Sequence, residues 1–396
     1  MAKADKLTST LFPTTLMGSL PRSRDIMRAR RQSKRGQINE DDYQKLILNE
    51  TTQRVRWQEK LGLDLITSGE IGRDNYVSFV AEKIDGVAMM SMNELLTHID
   101  DKKRFEEILT TLDVPSSTIN NPVCVDKLKY NKGLATDELL MMRQATDKPI
   151  KITLPGPYLM TQSMWFPEIS KKAYASKEAL GQDVIRILIK EIDELTAIGV
   201  EVIQIDEPVL TEVVFTPGKT RTFMCAALSE KQDPHDELIF ATSLIQPVID
   251  YMKQKKVIAS MHVCRGNWSK DETTLLSGSY APLRTLFHDV APDVLSLEFS
   301  TPRAGEIHSL FGDEQLPANT TLGLGVINPR TDNVETVEQI IAEVHLAQEF
   351  LPNDRIWLNP DCGFATFSNR PVNSYEVIER KINSLVKAAT ELRHQS

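Results

Sequence analysis

Cysteine is scarce in this 396-residue chain: Cys124, Cys225, Cys264 and Cys362 are the only four, and they stand far apart. So few scattered thiols exclude a disulfide-stapled scaffold and leave free thiols or metal ligands in a reducing compartment. Histidine is also sparse, at seven, and His235, His288 and His394 read as solvated surface among charged neighbours. Positive charge is in deficit, with 46 Lys and Arg against 55 Asp and Glu and a net charge of −9. The chain therefore carries no basic footprint for nucleic acid or an anionic membrane. No apolar run nears the ~20 residues that span a bilayer. The opening "MAKADKLTSTLF" lacks the apolar stretch of a secretion signal. A cytoplasmic protein is the expectation.

What is present is a rhythm. Short β-branched or apolar runs end in polar residues, and longer stretches of helical period follow. The runs cover 14–21, 63–70, 148–157, 200–208, 256–264, 293–300, 320–328 and 355–363. Between them, Leu180, Val184, Leu188, Ile192 and Leu195 form an i, i+4 stripe in 178–198. The stretches 334–350 and 373–390 carry similar stripes. Eight strand–helix units are the count of a (β/α)₈ TIM barrel. Alternation alone also fits a doubly wound sheet. Parity favours the barrel. Ile203 and Ile205 point one way, while Gln204 and Asp206 point the other. Leu295 and Leu297 likewise alternate with Ser296 and Glu298. One face is apolar throughout and the other grows polar toward the strand ends, as a barrel mouth requires. The segment 75–145 breaks the rhythm and reads as an elaborated loop after strand two, either padding or a lid. With no linker or repeat in view, residues 1–396 read as one catalytic domain.

The strand ends carry the chemistry. In "ASMHVCRGNW" (259–268), His262 and Cys264 lie two apart on a strand and so share a face. A lone inward histidine is more often a satisfied core residue, and a lone buried cysteine an inert hydrophobe. Here they form a pair, Glu298 closes strand six, and Cys362 follows strand eight in "NPDCG". In a barrel all these ends converge. One imidazole, two thiolates and a carboxylate suit Zn2+ in tetrahedral coordination. A carboxylate facing a barrel interior is expensive without a cation, so Glu298 strengthens the metal reading. As the hardest donor of the four, it is expected to be the most labile ligand. Cys124 and Cys225 lie off the strand ends and receive no role. Glu70 and Asp206 end strands two and four, beside the candidate metal ligands. "GSLP" offers Gly18 for close backbone approach and Ser19 for a hydroxyl donor. The bland readings are a salt bridge from Glu70 to Arg73 and a capped strand end at Asp206.

Together, "LMGSLPRS", "LDLITSGE" followed by "RDN", "VIQIDEPVL", "MHVC", "SLEFS" and "LNPDCG" resemble, in order, the catalytic half of the cobalamin-independent methionine synthase family. The resemblance runs from about residue 12 to about residue 390. It implies a zinc-dependent methyltransferase on a (β/α)₈ barrel that moves a methyl group to homocysteine. It implies His262, Cys264, Glu298 and Cys362 as metal ligands. It implies Met17, Gly18, Ser19, Glu70 and Asp206 around the amino-acid head of the substrate, with Glu70 and Asp206 catalytic. On the donor side, Glu212 matches a folate-contacting acid. Trp165 stands two positions beyond Ser163, where the family has its pterin-stacking tryptophan. The chain departs from the family after strand seven, where "GVINPRTDN" has Asn328 and Arg330 in place of a protonating histidine. The donor therefore stays open between methyl-folate and a methylcorrinoid protein. The rival readings are an alkyltransferase for another thiol such as coenzyme M, a uroporphyrinogen-decarboxylase-like barrel that needs no zinc, and a non-catalytic zinc-storage protein.

Overall fold

Alternating side-chain parity is what lets this chain curl its strands around a polar interior. The computed structural model describes residues 3–91, 94, 95, 97, 98, 120–215, 233–267, 269–312 and 316–395; Cys225 lies outside them. Seven parallel strands run in the order β1 (Ile66–Thr67), β4 (Ile150–Pro155), β5 (Val202–Asp206), β6 (Ile258–Val263), β7 (Val294–Glu298), β8 (Thr321–Ile327) and β9 (Ile356–Pro360). Two bridges close the ring. Thr14 pairs with Leu358 of β9, and Thr15 pairs with Leu65 just before β1. The hydrogen bonds are Thr15 N to Leu358 O (3.1 Å), Leu358 N to Pro13 O (2.8 Å) and Leu65 N to Thr14 O (3.2 Å). Residues 13–15 thus form an eighth stave, and all eight runs read from the sequence contribute one. The first two are shorter than their sequence runs, because the chain soon leaves the ladder to build the mouth.

The C-terminal helix (Tyr375–Gln395) locks this closure. Arg393 donates to Leu11 O (2.8 Å) and Phe12 O (2.9 Å) and pairs with Asp64 at 2.6 Å. Asp64 in turn accepts from Thr14 N at 2.9 Å and Thr14 Oγ1 at 2.8 Å. The long helix Lys177–Ile198 is capped by the Ser176 side chain and ends at Gly199 in the left-handed region (φ 92°), which glycine adopts without a Cβ clash.

The apolar face of each strand lies under helices. Ile203, Ile205, Leu295 and Leu297 join the main core with Leu180, Val184, Leu244 and Val248. A small separate cluster of Leu65, Val202, Val294 and Trp357 fills the bottom of the barrel, plugged by Leu7 from the N-terminal helix Lys3–Thr8. Apolar filling below and polar residues above leave the chemistry nowhere to sit but the C-terminal mouth.

The 75–145 segment contains more order than a loop. β2 (Ile84–Ser91) pairs antiparallel with β3 (Asn120–Tyr130), with a register shift between Asp85 and Val87, and a helix follows at Thr136–Arg143. Cys124 on β3 is buried in the main core, a packing role.

The inside–outside alternation has a direct consequence for stability. Ile205→Ala empties a buried site under the helices and should lower the unfolding free energy by about 2–5 kcal/mol in urea titrations. Ile239→Ala, on the exposed face of helix Pro234–Gln254, should change it by no more than about 0.5 kcal/mol.

Candidate functional site

Strand ends that are distant in sequence become neighbours at this mouth. A cleft of about 600 Å³ is lined by Met17, Gly18, Ser19, Glu70, Asp206, His262, Cys264 and Cys362. Tyr76, Pro208, Asn267, Gly363, Thr366 and Phe367 complete its wall. Sequence reasoning had not placed these six, because loop residues of ordinary type carry no spacing signal.

His262 closes β6, and register pairs it with Asp206 at the end of β5. Its Nδ1 lies 3.0 Å from Asp206 Oδ1 and its Nε2 lies 3.1 Å from the Asp361 carbonyl. Burial works against a charge on this imidazole. The Asp206 hydrogen bond and the neighbouring Cys264 outweigh that and hold it up at about 9. Cys264 and Cys362 are both buried. A hydrogen bond between the thiols pulls Cys264 down, helped by His262, and pushes Cys362 up. The donor atoms of His262, Cys264 and Cys362 all lie within 4.8 Å of one another. One imidazole and two thiols, converging and buried, fit a zinc-like ion.

Glu298 is positioned differently from the open carboxylate the sequence suggested. It is fully buried, and its cations are side chains: Arg303 Nη2 at 3.0 Å from Oε2 and Arg330 Nη1 at 3.4 Å from Oε1. Against burial, which pushes it up, Arg330, Arg303 and Arg265 hold Glu298 below the usual carboxylate range. Arg330 also reaches Asp361 at 3.1 Å. Asp361 accepts the backbone N–H groups of Phe299 (3.2 Å) and Ser300 (3.1 Å), binding the end of β7 to the turn that carries Cys362.

Glu70 sits on the opposite side of the mouth with a left-handed backbone (φ 55°), unusual for a side chain with a Cβ. Arg22 Nη2 donates to its carbonyl at 2.8 Å, and its own N–H donates to Ser68 Oγ at 3.0 Å. Thr153 Oγ1 donates to Glu70 Oε1 at 2.8 Å, while Oε2 is buried with no hydrogen-bond partner among the described residues. Burial pushes Glu70 up, opposed by Arg73 and Arg22. Gly18 is required by close approach: a Cβ there would collide with Glu70 Oε1. The Met17 carbonyl accepts from Gln204 Nε2 at 3.0 Å, and the same amide lies 2.8 Å from Asp206 Oδ1. Ser19 O accepts from Phe364 N at 2.9 Å, and its hydroxyl fills the space a side chain at 363 would need.

Two residues assigned to the donor side do not line this cleft. Trp165 ends the helix Pro157–Met164 and is buried in the main core. Glu212 lies in the first turn of helix Val209–Phe215. Neither is among the residues lining the cleft. Glu207, beside Asp206, turns away and caps the N-terminus of helix Pro157–Met164, accepting from Tyr158 N (2.8 Å) and Leu159 N (2.9 Å).

Residues 12–391 match the family described as cobalamin-independent synthase, catalytic domain. The 5-methyltetrahydropteroyltriglutamate–homocysteine methyltransferase of Thermotoga petrophila is 25% identical over 392 residues, covering 99% of this chain and 46% of that protein. Its counterpart in Thermodesulfovibrio yellowstonii is 28% identical over 393 residues, covering 98% and 45%. The chain thus spans just under half the length of these relatives. Among solved structures, a B12-independent methionine synthase from Shewanella sp. W3-18-1, in complex with selenomethionine, superposes with a TM-score of 0.70 at 20% identity, covering 98% of this chain and 99% of that one. A putative vitamin-B12-independent methionine synthase from Listeria monocytogenes gives 0.68 at 20% identity, covering 97% and 98%. At this identity they establish the fold.

Lys151 on β4 lies below the acids, in register with Thr67 and Val202, and is almost completely buried. Burial lowers it from 10.5 to about 7, although Asp206 and Glu70 oppose the shift. Between these two values the unfolded chain holds the proton and the folded chain does not. This group's contribution to stability therefore rises with pH from about 7 to about 10.5 and is lost on acidification through 7. Replacing it by Lys151→Met should remove that slope. The difference in unfolding free energy between wild type and variant, measured in urea, should move in favour of wild type as pH rises across the window.

Proposed function

Because the chain belongs to the cobalamin-independent synthase catalytic-domain family, we propose that it is a zinc-dependent S-methyltransferase that converts homocysteine to methionine. The observation that carries this reading is the pairing, in one cleft, of a buried His–Cys–Cys donor set with a buried carboxylate oxygen, Glu70 Oε2, that has no partner among the described residues. A thiol bearing an ammonium group uses both halves. A thiol without one, such as coenzyme M, leaves Glu70 Oε2 unsatisfied at a cost of about 1–3 kcal/mol or more for a charged group. A decarboxylase that needs no metal leaves the His–Cys–Cys set unused, and a zinc-storage protein leaves Glu70 Oε2 unused.

In this scheme Glu70 and Asp206 receive the substrate ammonium. The Met17–Ser19 turn receives its carboxylate through backbone N–H groups and the Ser19 hydroxyl. His262, Cys264 and Cys362 hold the zinc. When bound, zinc would keep the substrate sulfur as a thiolate, where a free thiol of pKa about 8.5 is mostly protonated at neutral pH. Asp206 fixes the ring of His262 through Nδ1, an orienting contact typical of metal-ligating histidines. Glu298, already shared between Arg303 and Arg330, would be the weakest of the four proposed ligands. Burial of both thiols keeps bulk water from the nucleophile.

For the methyl donor we propose 5-methyltetrahydropteroyltriglutamate, the compound in the relatives' names; those names give no support to a methylcorrinoid. Glu212 and Trp165 are the residues proposed for the pterin. They follow β5 and β4 at the mouth end of the barrel. Arg330, whose guanidinium is engaged by Glu298 and Asp361, has no proton to offer a leaving group at neutral pH.

Purified protein should contain zinc by elemental analysis and form methionine from homocysteine and the methylated pteroyltriglutamate. Turnover with methylcobalamin alone would overturn the donor assignment, and full activity without metal would overturn the site. Cys362→Ser should lose most of the zinc. Its kcat/KM should fall by more than the roughly 10–100-fold expected from losing an outer partner of a metal ligand.

A further inference from the structure

Glu70 cannot serve an ammonium unless something else occupies Arg73. The Arg73 guanidinium is buried, with Nη1 3.8 Å from Glu70 Oε1. One arginine beside one glutamate sums to zero charge, and a neutral pair offers a cation little.

A third group changes that sum. Glu138, on the first turn of helix Thr136–Arg143, takes Arg73 in a two-pronged pair: Nε to Oε1 at 2.6 Å and Nη2 to Oε2 at 3.0 Å. The rest of the guanidinium is bound to Thr153, with Nη1 to Oγ1 at 3.2 Å and Nη2 to the carbonyl at 2.8 Å. Phe79 packs against its plane, 4.5 Å from guanidinium carbon to ring centroid. Arg73 is thereby held in the fork of Glu138, and the charges that act on one another here, Glu70, Glu138 and Asp206 against Arg73 and Arg22, keep one net negative charge. Because Thr153 Oγ1 accepts from Arg73, its single proton is directed to Glu70 Oε1, leaving Oε2 open.

Glu138 also reaches Glu70 by a second path. Ser68 Oγ donates to Glu138 Oε2 at 2.6 Å, which turns the hydroxyl lone pair toward the Glu70 N–H at 3.0 Å. That bond steadies the residue with the left-handed backbone, a conformation that persists only where its surroundings enforce it.

We propose that Glu138 is a positioning residue for amino-group recognition: it binds Arg73 and Ser68 so that Glu70 presents a negatively charged, correctly aimed oxygen to the substrate ammonium. This rests on the reading of Glu70 as the ammonium's partner.

The test compares homocysteine with its deamino analogue, 4-mercaptobutanoic acid, by titration calorimetry of the zinc-loaded protein and by steady-state kinetics. Glu138→Gln should weaken homocysteine binding and raise its KM roughly tenfold while kcat at saturation stays within about twofold. Binding of 4-mercaptobutanoic acid should be unchanged within about twofold. Glu138→Asp, which keeps the charge, should restore homocysteine affinity to within about threefold of wild type. An equal loss for both thiols, or failure of the aspartate to restore affinity, would mark a merely structural lesion and overturn the inference. If wild type discriminates between the thiols and Glu138→Gln does so equally well, this inference alone fails. If wild type binds neither thiol, the reading of the site fails and takes this inference with it. Should Glu138→Gln not fold, Ser68→Ala tests the second path: it should also weaken homocysteine selectively, and equal effects on both thiols would count against the proposal.

Discussion

Closure of the barrel is the constraint on which everything else rests. The three residues 13–15 bridge β9 and the start of β1, and only then do strand ends separated by up to a few hundred residues face a common cavity. An open sheet made of the same strands would leave Cys362 and Glu70 on opposite edges. The closing bonds are few, so other groups support them: Asp64 holds Thr14, and Arg393 holds Asp64 and the carbonyls on either side of the turn at Phe12. The functional site thus depends on a clamp at the back of the molecule that touches none of its ligands.

Within the mouth, the organising rule is the pairing of buried charge. Carboxylates that serve the framework have arginine or backbone partners: Glu298 has Arg303 and Arg330, Asp361 has Arg330 and two N–H groups, and Glu207 has the end of a helix. Burying an ion without a partner is expensive, so such pairs are the ordinary solution. Against that background Glu70 Oε2 stands out. The fold has spent hydrogen bonds on the residue's backbone and on its other oxygen and left this one open. A site made for a ligand differs from a structural salt bridge in this respect.

Much of this was legible in the sequence, and the reasons differ by feature. The staves were readable because period-two alternation and period-3.6 stripes are local. His262 and Cys264 were readable because two residues on one strand share a face, and Cys362 because it trails a recognisable strand. Three things were not readable. Glu298 was readable as a buried acid, but its pairing with Arg303 and Arg330 in the following loops was not. Pairing across such distances leaves no periodicity to detect. Glu138 lies 68 positions from Glu70, in a segment whose sequence looked like an irregular insertion, and only the packing of helix Thr136–Arg143 against the turn after β1 brings it there. The antiparallel pair β2 and β3 was hidden for a related reason: its strands are far apart in sequence, with residues 92–119 between them.

The bridge between Thr14 and Leu358 also sets an order of events. A ribosome delivers the first stave hundreds of residues before its partner, so the ring stays open until Leu358 has been made. Cys362 emerges four residues after that partner strand begins its bridge, and with it comes the last soft donor. A nascent chain therefore displays His262 and Cys264 before the third member of their cluster exists. That cluster is complete only once residue 362 has been made.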